Sequence, residues 1–138
     1  MTAALQAIGE QIRIQDNRAT DAPIFIVQQR KRIYGIGEDY TDDYVWIDTQ
    51  GDSHEADPEE AATLDAMYEE DFYHEGLKNW RRVGFIDIWE FVTACFTEKG
   101  CQDFIALNGH NLTDPRIYAA GSYRNIEYRT VRDYLKSL

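Results

Sequence analysis

The chain reads as an α+β fold: a single compact domain in which a small antiparallel β-sheet of about three strands is covered by three to four helices. Two observations predict it. Hydrophobic residues make up 43% of the 138 positions and aromatics 13%, enough for a packed core despite the acidity. β-branched and aromatic runs near 24–34, 44–49 and 81–96 are interspersed with capped, amphipathic stretches near 57–73, 98–108 and 125–137. The length fits one domain with a short appendage, so residues 1–20 are read as an N-terminal helix or arm and 21–138 as a single α+β domain.

Met1 to Arg18 has Leu5, Ile8 and Ile12 at helical spacing, and the polar stretch Asn17 to Pro23 breaks it. Ile24-Phe25-Ile26-Val27 opens a strand that reaches Tyr34 and ends at Gly35 and Gly37. Tyr44-Val45-Trp46-Ile47-Asp48 is a second strand, closed by the turn signal Gln50-Gly51-Asp52. Asp57-Pro58-Glu59-Glu60 is a helix start, with Asp as N-cap, Pro at N1 and acids in the first turn. Its helix should run to about Tyr73, with Ala61, Leu64, Met67 and Tyr68 buried and an acidic face exposed. Arg81 to Thr97 is the main strand or a bent pair. Thr97-Glu98-Lys99-Gly100 starts another helix, which Asn108-Gly109-His110-Asn111 should stop by left-handed backbone chemistry. Ile117-Tyr118-Ala119 is a short extended piece. A last helix begins near Asn125, with Ile126, Val131, Tyr134, Leu135 and Leu138 roughly on one side.

Charge is distributed unevenly. Between Ile33 and Leu77 there is no lysine or arginine in 45 positions, yet there are fifteen acids. The remainder holds fourteen bases against ten acids, net +4, so the overall −11 is polarised. Concentrated carboxylates repel one another and attract cationic partners over about 8 Å in physiological salt. The acidity argues against direct nucleic-acid binding, which needs clustered Lys and Arg. No apolar run approaches the ~20 residues of a membrane span. Met1 to Asp16 lacks the basic start and apolar stretch of a secretory signal. Two cysteines, Cys95 and Cys101, suit a reducing compartment, so a cytoplasmic protein is expected.

From Arg81 onward a longer pattern emerges. Arg-Val-Gly-Phe-Ile-Asp-Ile-Trp-Glu-Phe-Val-Thr-Ala-Cys-Phe-Thr-Glu-Lys-Gly-Cys-Gln-Asp-Phe-Ile is followed by Asn108-Gly109-His110-Asn111-Leu112, Pro115-Arg116-Ile117-Tyr118 and Ser122-Tyr123-Arg124-Asn125. With Arg32-Ile33-Tyr34-Gly35 and Trp46-Ile47-Asp48, this resembles a family of small accessory proteins encoded by phages and prophages of Gram-negative bacteria. That family has no established activity and supplies no functional residues. The resemblance implies a bacterial host cytoplasm and a role among factors such as anti-CRISPR proteins, which act against host defences.

The residues point to a non-enzymatic binding protein that inhibits or redirects a host protein or nucleoprotein complex through a cationic surface. The expected contact surface comprises Glu38, Asp39, Asp42, Asp43, Asp52, Glu55, Glu59, Glu60, Glu69, Glu70 and Asp71, with Tyr40, Tyr44 and Tyr73 as aromatic anchors. Rings supply contact energy and carboxylates supply steering, and spaced carboxylates can imitate a phosphate backbone. The bland alternative is a solvated face. No cofactor or metal is expected. Asp48, Asp52, Glu55 and Asp57 crowd one loop but miss the EF-hand register, and Cys95, Cys101 and His110 have no zinc-site spacing. The alternatives are a metal-assisted hydrolase or nuclease, for which Asp87, Glu90, His54, His74 and His110 are the candidates, and a structural or regulatory phage subunit. Arg30-Lys31-Arg32 and Arg81-Arg82 flank strands. They either pair with acids inside the sheet or form a cationic patch that leaves homodimerisation open.

Overall fold

Helices begin where a side chain can satisfy the first free N–H groups. The computed structural model, which describes residues 2–51 and 53–138, has four such starts. Thr2 caps α1 (Ala3–Ile14), and Asp57 caps α2 (Pro58–Glu70) in a reciprocal capping box with Glu60. Thr97 caps α3 (Glu98–Asn108), and Asn125 caps α4 (Ile126–Lys136). α2 stops at Glu70, short of Tyr73, because Asp71 turns to extended backbone and its carboxylate accepts the Tyr73 N–H.

The strands are β1 (Pro23–Tyr34), β2 (Tyr44–Asp48), β3 (Trp80–Cys95) and β4 (Arg116–Gly121), in the sheet order β2-β3-β1-β4. β1 pairs antiparallel with β4 from Pro23 opposite Gly121 to Gln28 opposite Arg116. β2 pairs antiparallel with β3 from Tyr44 opposite Gly84 to Asp48 opposite Trp80. The α+β architecture is the expected one, with four strands rather than about three. The short piece around Ile117–Ala119 is a strand because β1 offers it a pairing edge. The stretch from Arg81 is one long strand, not a bent pair.

Packing divides the chain into two units, Met1–Lys31 with Trp89–Leu138 and Arg32–Ile88, and both β1 and β3 run from one unit into the other. In the first unit, alternate β1 residues Phe25 and Val27 are fully buried with Cys101 of α3. Phe104, Ile105, Val92, Ile117 and Ala119 pack around them. Burying each of the two β1 side chains contributes about 1.5–3 kcal/mol. α1 lies against α4 through Gly9, where a Cβ would overlap the Leu135 carbonyl. Arg13 Nη1 donates to the carbonyls of Lys136 (2.8 Å) and Leu138 (3.1 Å) at the end of α4. In the second unit, Trp46, Leu64 and Leu77 form the core, with Ala61, Met67 and Tyr68 of the expected α2 stripe packed on it.

Two local expectations are corrected. α4 buries Arg132 and Leu135, while Ile126, Val131 and Tyr134 are exposed. Val131, Tyr134 and Leu135, at i, i+3 and i+4, share one side of α4 and Ile126 lies off it, but the helix docks with only the Leu135 edge of that side turned inward. The inward face runs through Tyr128, Arg132 and Leu135, and the Tyr128 ring stacks on Phe96 at 4.8 Å while its hydroxyl donates to the Pro23 carbonyl at 2.8 Å. α3 is not stopped by a left-handed residue. Gly109 keeps φ −58°, and the chain tightens into a 3-10 turn, Gly109–Asn111.

Candidate partner-binding surface

The acidic loop between β1 and β2 is pinned by backbone bonds. Gly35, at φ +81°, turns the chain out of β1, a conformation that costs glycine little. The N–H groups of Gly35 and Ile36 both donate to the Gly84 carbonyl (2.9 and 3.1 Å). A side chain at Gly84 would overlap the Ile36 carbonyl, so glycine there permits this approach. The buried Thr41 hydroxyl donates to the Phe85 carbonyl at 2.7 Å and accepts the Asp43 N–H at 3.0 Å. The Phe85 N–H donates to the Asp43 carbonyl at 3.1 Å. The loop's carboxylates are therefore displayed from a fixed backbone.

Two depressions meet along this loop, both within the second unit. One, of about 510 Å³, is lined by Asp42, Asp43, Tyr44, Asp65, Tyr68, Glu69, Arg82 and Phe85. The other, of about 520 Å³, is lined by Glu38, Asp39, Tyr40, Thr41, Asp42, Asp43 and Ile86. Asp42 and Asp43 line both, so six carboxylates edge this pair of adjoining depressions, together the acidic recess. Asp65 and Glu69 are one helical turn apart on α2, which brings them to the same side. Trp46 Nε1 donates to Asp65 Oδ1 at 2.7 Å, which ties the recess to the core. Tyr40 is 84% exposed at the rim.

The recess holds one cation. Arg82 faces Trp46 across the β2–β3 ladder, and its guanidinium lies 3.9 Å from the Tyr44 ring centroid and 4.9 Å from that of Tyr68. The two rings hold that arginine by cation–π attraction. The linear run free of Lys and Arg therefore does not make a cation-free surface, because β3 places Arg82 within it.

Of the expected contact residues, Glu38, Asp39, Tyr40, Asp42, Asp43, Tyr44 and Glu69 line the recess. Glu59, Glu70 and Tyr73 are exposed but do not line it, and Asp52 lies outside the described residues. Three others have local partners. Glu60 completes the capping box, Asp71 accepts the Tyr73 N–H, and Glu55 takes Arg32 at 2.7 Å and the Tyr34 hydroxyl at 3.0 Å. Asp65, Tyr68, Arg82 and Phe85 are additions to the expected set. The i, i+4 spacing of Asp65 and Glu69 was a usable sequence signal, whereas Arg82 and Phe85 arrive only through strand pairing.

Lys31 and Arg32 follow the ion-pairing alternative, whereas Arg82 of the second basic run lies against the Tyr44 and Tyr68 rings. Lys31 pairs with Glu90 at 3.0 Å, and this bond, with a second from Gln29, holds the Glu90 carboxyl below its ordinary range. Arg32 makes a two-pronged contact with Asp87 at 2.8 and 3.0 Å, and that hydrogen bonding holds its pKa above the ordinary guanidinium value. Asp87 and Glu90, the candidate nuclease carboxylates, are thus engaged with cations.

The histidines also have local roles. His74 Nδ1 accepts the Gly76 N–H at 2.9 Å, His54 sits 3.4 Å from Asp48 and edge-on to Trp80, and His110 neighbours the Asn111 amide. Burial pushes the Cys101 thiol up to about 12, which leaves it a poor nucleophile. Among the described residues, no group of three or more His, Cys, Asp and Glu side chains could hold a metal ion. No helix among them is long and apolar enough to cross a membrane. Comparison with family models, with curated proteins and with solved structures gives no match for the chain.

Proposed function

We propose that this chain is a phage- or prophage-encoded binding protein, acting without catalysis in the cytoplasm of a bacterial host. It engages a cationic surface of a host protein or nucleoprotein complex and inhibits or redirects it, as a counter-defence factor of the anti-CRISPR type does. The observation that carries this reading is the recess edged by Glu38, Asp39, Asp42, Asp43, Asp65 and Glu69, with Tyr40 at its rim. Carboxylates on a fixed backbone attract guanidinium and ammonium groups, and their spacing along a loop and a helix can stand in for phosphates. Exposed rings beside them supply contact energy. Arg82 adds selectivity: an incoming cation must find the carboxylates without meeting that like charge.

The test begins with capture of the partner from a bacterial lysate and its identification, followed by kinetics with the purified partner. Binding is expected to saturate near one copy per target site without a modified product. Reversal of Asp42, Asp43 and Glu69 to Lys should slow association, and so should raising salt from about 50 mM to about 500 mM. Reversal of Glu98, Asp103 and Asp133 in the first unit is the control. Turnover of the target, or equal loss in the two sets of variants, would refute the reading.

A further inference from the structure

The two faces of the sheet differ within the first unit. Phe25, Val27, Ile117, Ala119 and Val92 point to the α3 side and form the core. By strand alternation, the opposite face displays Ile24, Ile26, Gln28 and Arg30 from β1, Trp89 and Phe91 from β3, and Arg116 and Tyr118 from β4. None of these is a carboxylate, in a chain with 25 of them.

The face is built of rings and guanidiniums. Phe91 is 62% exposed and Tyr118 49%, uncommon values for large rings in the middle of strands. Arg116 lies 3.8 Å from the Trp89 ring centroid and 5.9 Å from that of Tyr118, and Arg30 lies 5.0 Å from Trp89. Arg116 is held in place by its Nε bond to Gln28 Oε1 at 2.8 Å. Among the described residues no carboxylate pairs with it, so its terminal N–H groups are available to an acceptor.

We propose that this face binds single-stranded nucleic acid. An open sheet with exposed rings on neighbouring strands offers flat surfaces on which unpaired bases stack, and the arginine between them meets the phosphates. The overall charge of −11 does not decide the matter, because the acids concentrate in the other unit. The first unit carries ten bases and nine acids, net +1, and Arg116 stands between the rings of its open face. Charge complementarity to a polyanion is therefore local. This inference is independent of the acidic recess and would survive its failure.

The test is fluorescence anisotropy of the whole chain with labelled oligo-dT and oligo-U, beside a duplex of equal length and a poly-glutamate competitor. Saturable binding of a single strand is expected, at least about tenfold tighter than the duplex, whose bases already stack on one another. Phe91→Ala and Tyr118→Ala should each weaken it by about 5- to 150-fold, the loss of one base–ring stack. Tyr118→Trp should restore it, and Tyr73→Ala in the other unit should change nothing. Arg116→Gln should flatten the dependence of affinity on salt. Circular dichroism on each variant verifies the fold, and Tyr118→Trp keeps the test decisive if an alanine variant unfolds. Absence of single-strand binding, equal affinity for duplex, or displacement by poly-glutamate at equal charge would overturn the proposal. So would concentration-dependent self-association abolished by Arg116→Glu, which would give the face to a second copy.

Discussion

The first unit holds ten bases and nine acids; the second holds four bases and sixteen acids, net −12. A single net charge of −11 describes neither. The first unit is organised around fully buried Phe25, Val27 and Cys101, with ion pairs such as Lys31–Glu90 and Arg18–Glu98 at its surface. The second is organised around Trp46, Leu64 and Leu77, under a shell of like charges. One unit is therefore stabilised by burial with nearly balanced charge, and the other carries self-repulsion that its packing must offset. That repulsion is also what makes its surface attractive to a cationic partner.

The largest expected effect comes from breaking either core. Phe25→Ala should cost about 3–5 kcal/mol and Leu64→Ala about 2–5 kcal/mol, since both leave cavities at buried positions. Hydrogen exchange resolved by segment is the measurement. If each unit opens on its own, Leu64→Ala should expose the amides of α2 and β2 while those of α3 and β4 stay protected. Simultaneous loss everywhere would mean that the two units unfold as one.

A pH scan sharpens the comparison on the first unit. Burial pushes the Cys101 thiol up from 9.0 to about 12 and the Tyr128 phenol from 10.0 to about 12. Both groups are neutral when protonated, and a raised folded-state pKa means the fold favours that form. The stability they contribute is present below pH 9 and is lost as pH rises from about 9 to about 12. Melting temperature should therefore fall across that window. Tyr128→Phe should lower stability near neutrality by about 1 kcal/mol, through loss of its bond to the Pro23 carbonyl, yet make the alkaline fall shallower. An unchanged slope would remove Tyr128 from the account.

The smallest effect concerns the charge shell. Neutralising Asp42, Asp43 and Glu69 to Asn and Gln should leave the second unit as stable or up to about 1 kcal/mol more stable, and the gain should shrink as salt rises. The same number of neutralised acids in the first unit, Glu98, Asp103 and Asp133, should give no gain, because Glu98 and Asp103 are paired with Arg18 and Lys99. Denaturant melts at low and high salt decide it. A matching gain in both sets would mean that the repulsion is global rather than local to the second unit.

Much of the fold was legible from local chemistry. Asp57-Pro58-Glu59-Glu60 is a helix start in any context, because the side chain, the imino acid and the acids all act within one turn. The N-caps Thr97 and Asn125 and the stripe Ala61, Leu64, Met67 and Tyr68 are equally local. So is the exclusion of cations from 33–77, which marks Glu38, Asp39, Asp42 and Asp43 without reference to any other part of the chain. What depends on strand pairing was decided by the tertiary structure. Register across β2 and β3 sets Arg82 beside Tyr44 and Tyr68, and α2 brings Asp65 and Glu69 to the same recess; no linear spacing encodes that distance. Pairing also withdraws Glu55 to Arg32, and it lines up Trp89, Phe91, Arg116 and Tyr118 on one face from segments far apart in sequence. A capping box needs four consecutive residues, so the sequence alone determined it. A surface needs residues from several strands, and only their register, set by burial of Phe25, Val27 and Trp46, decides which side chains share it.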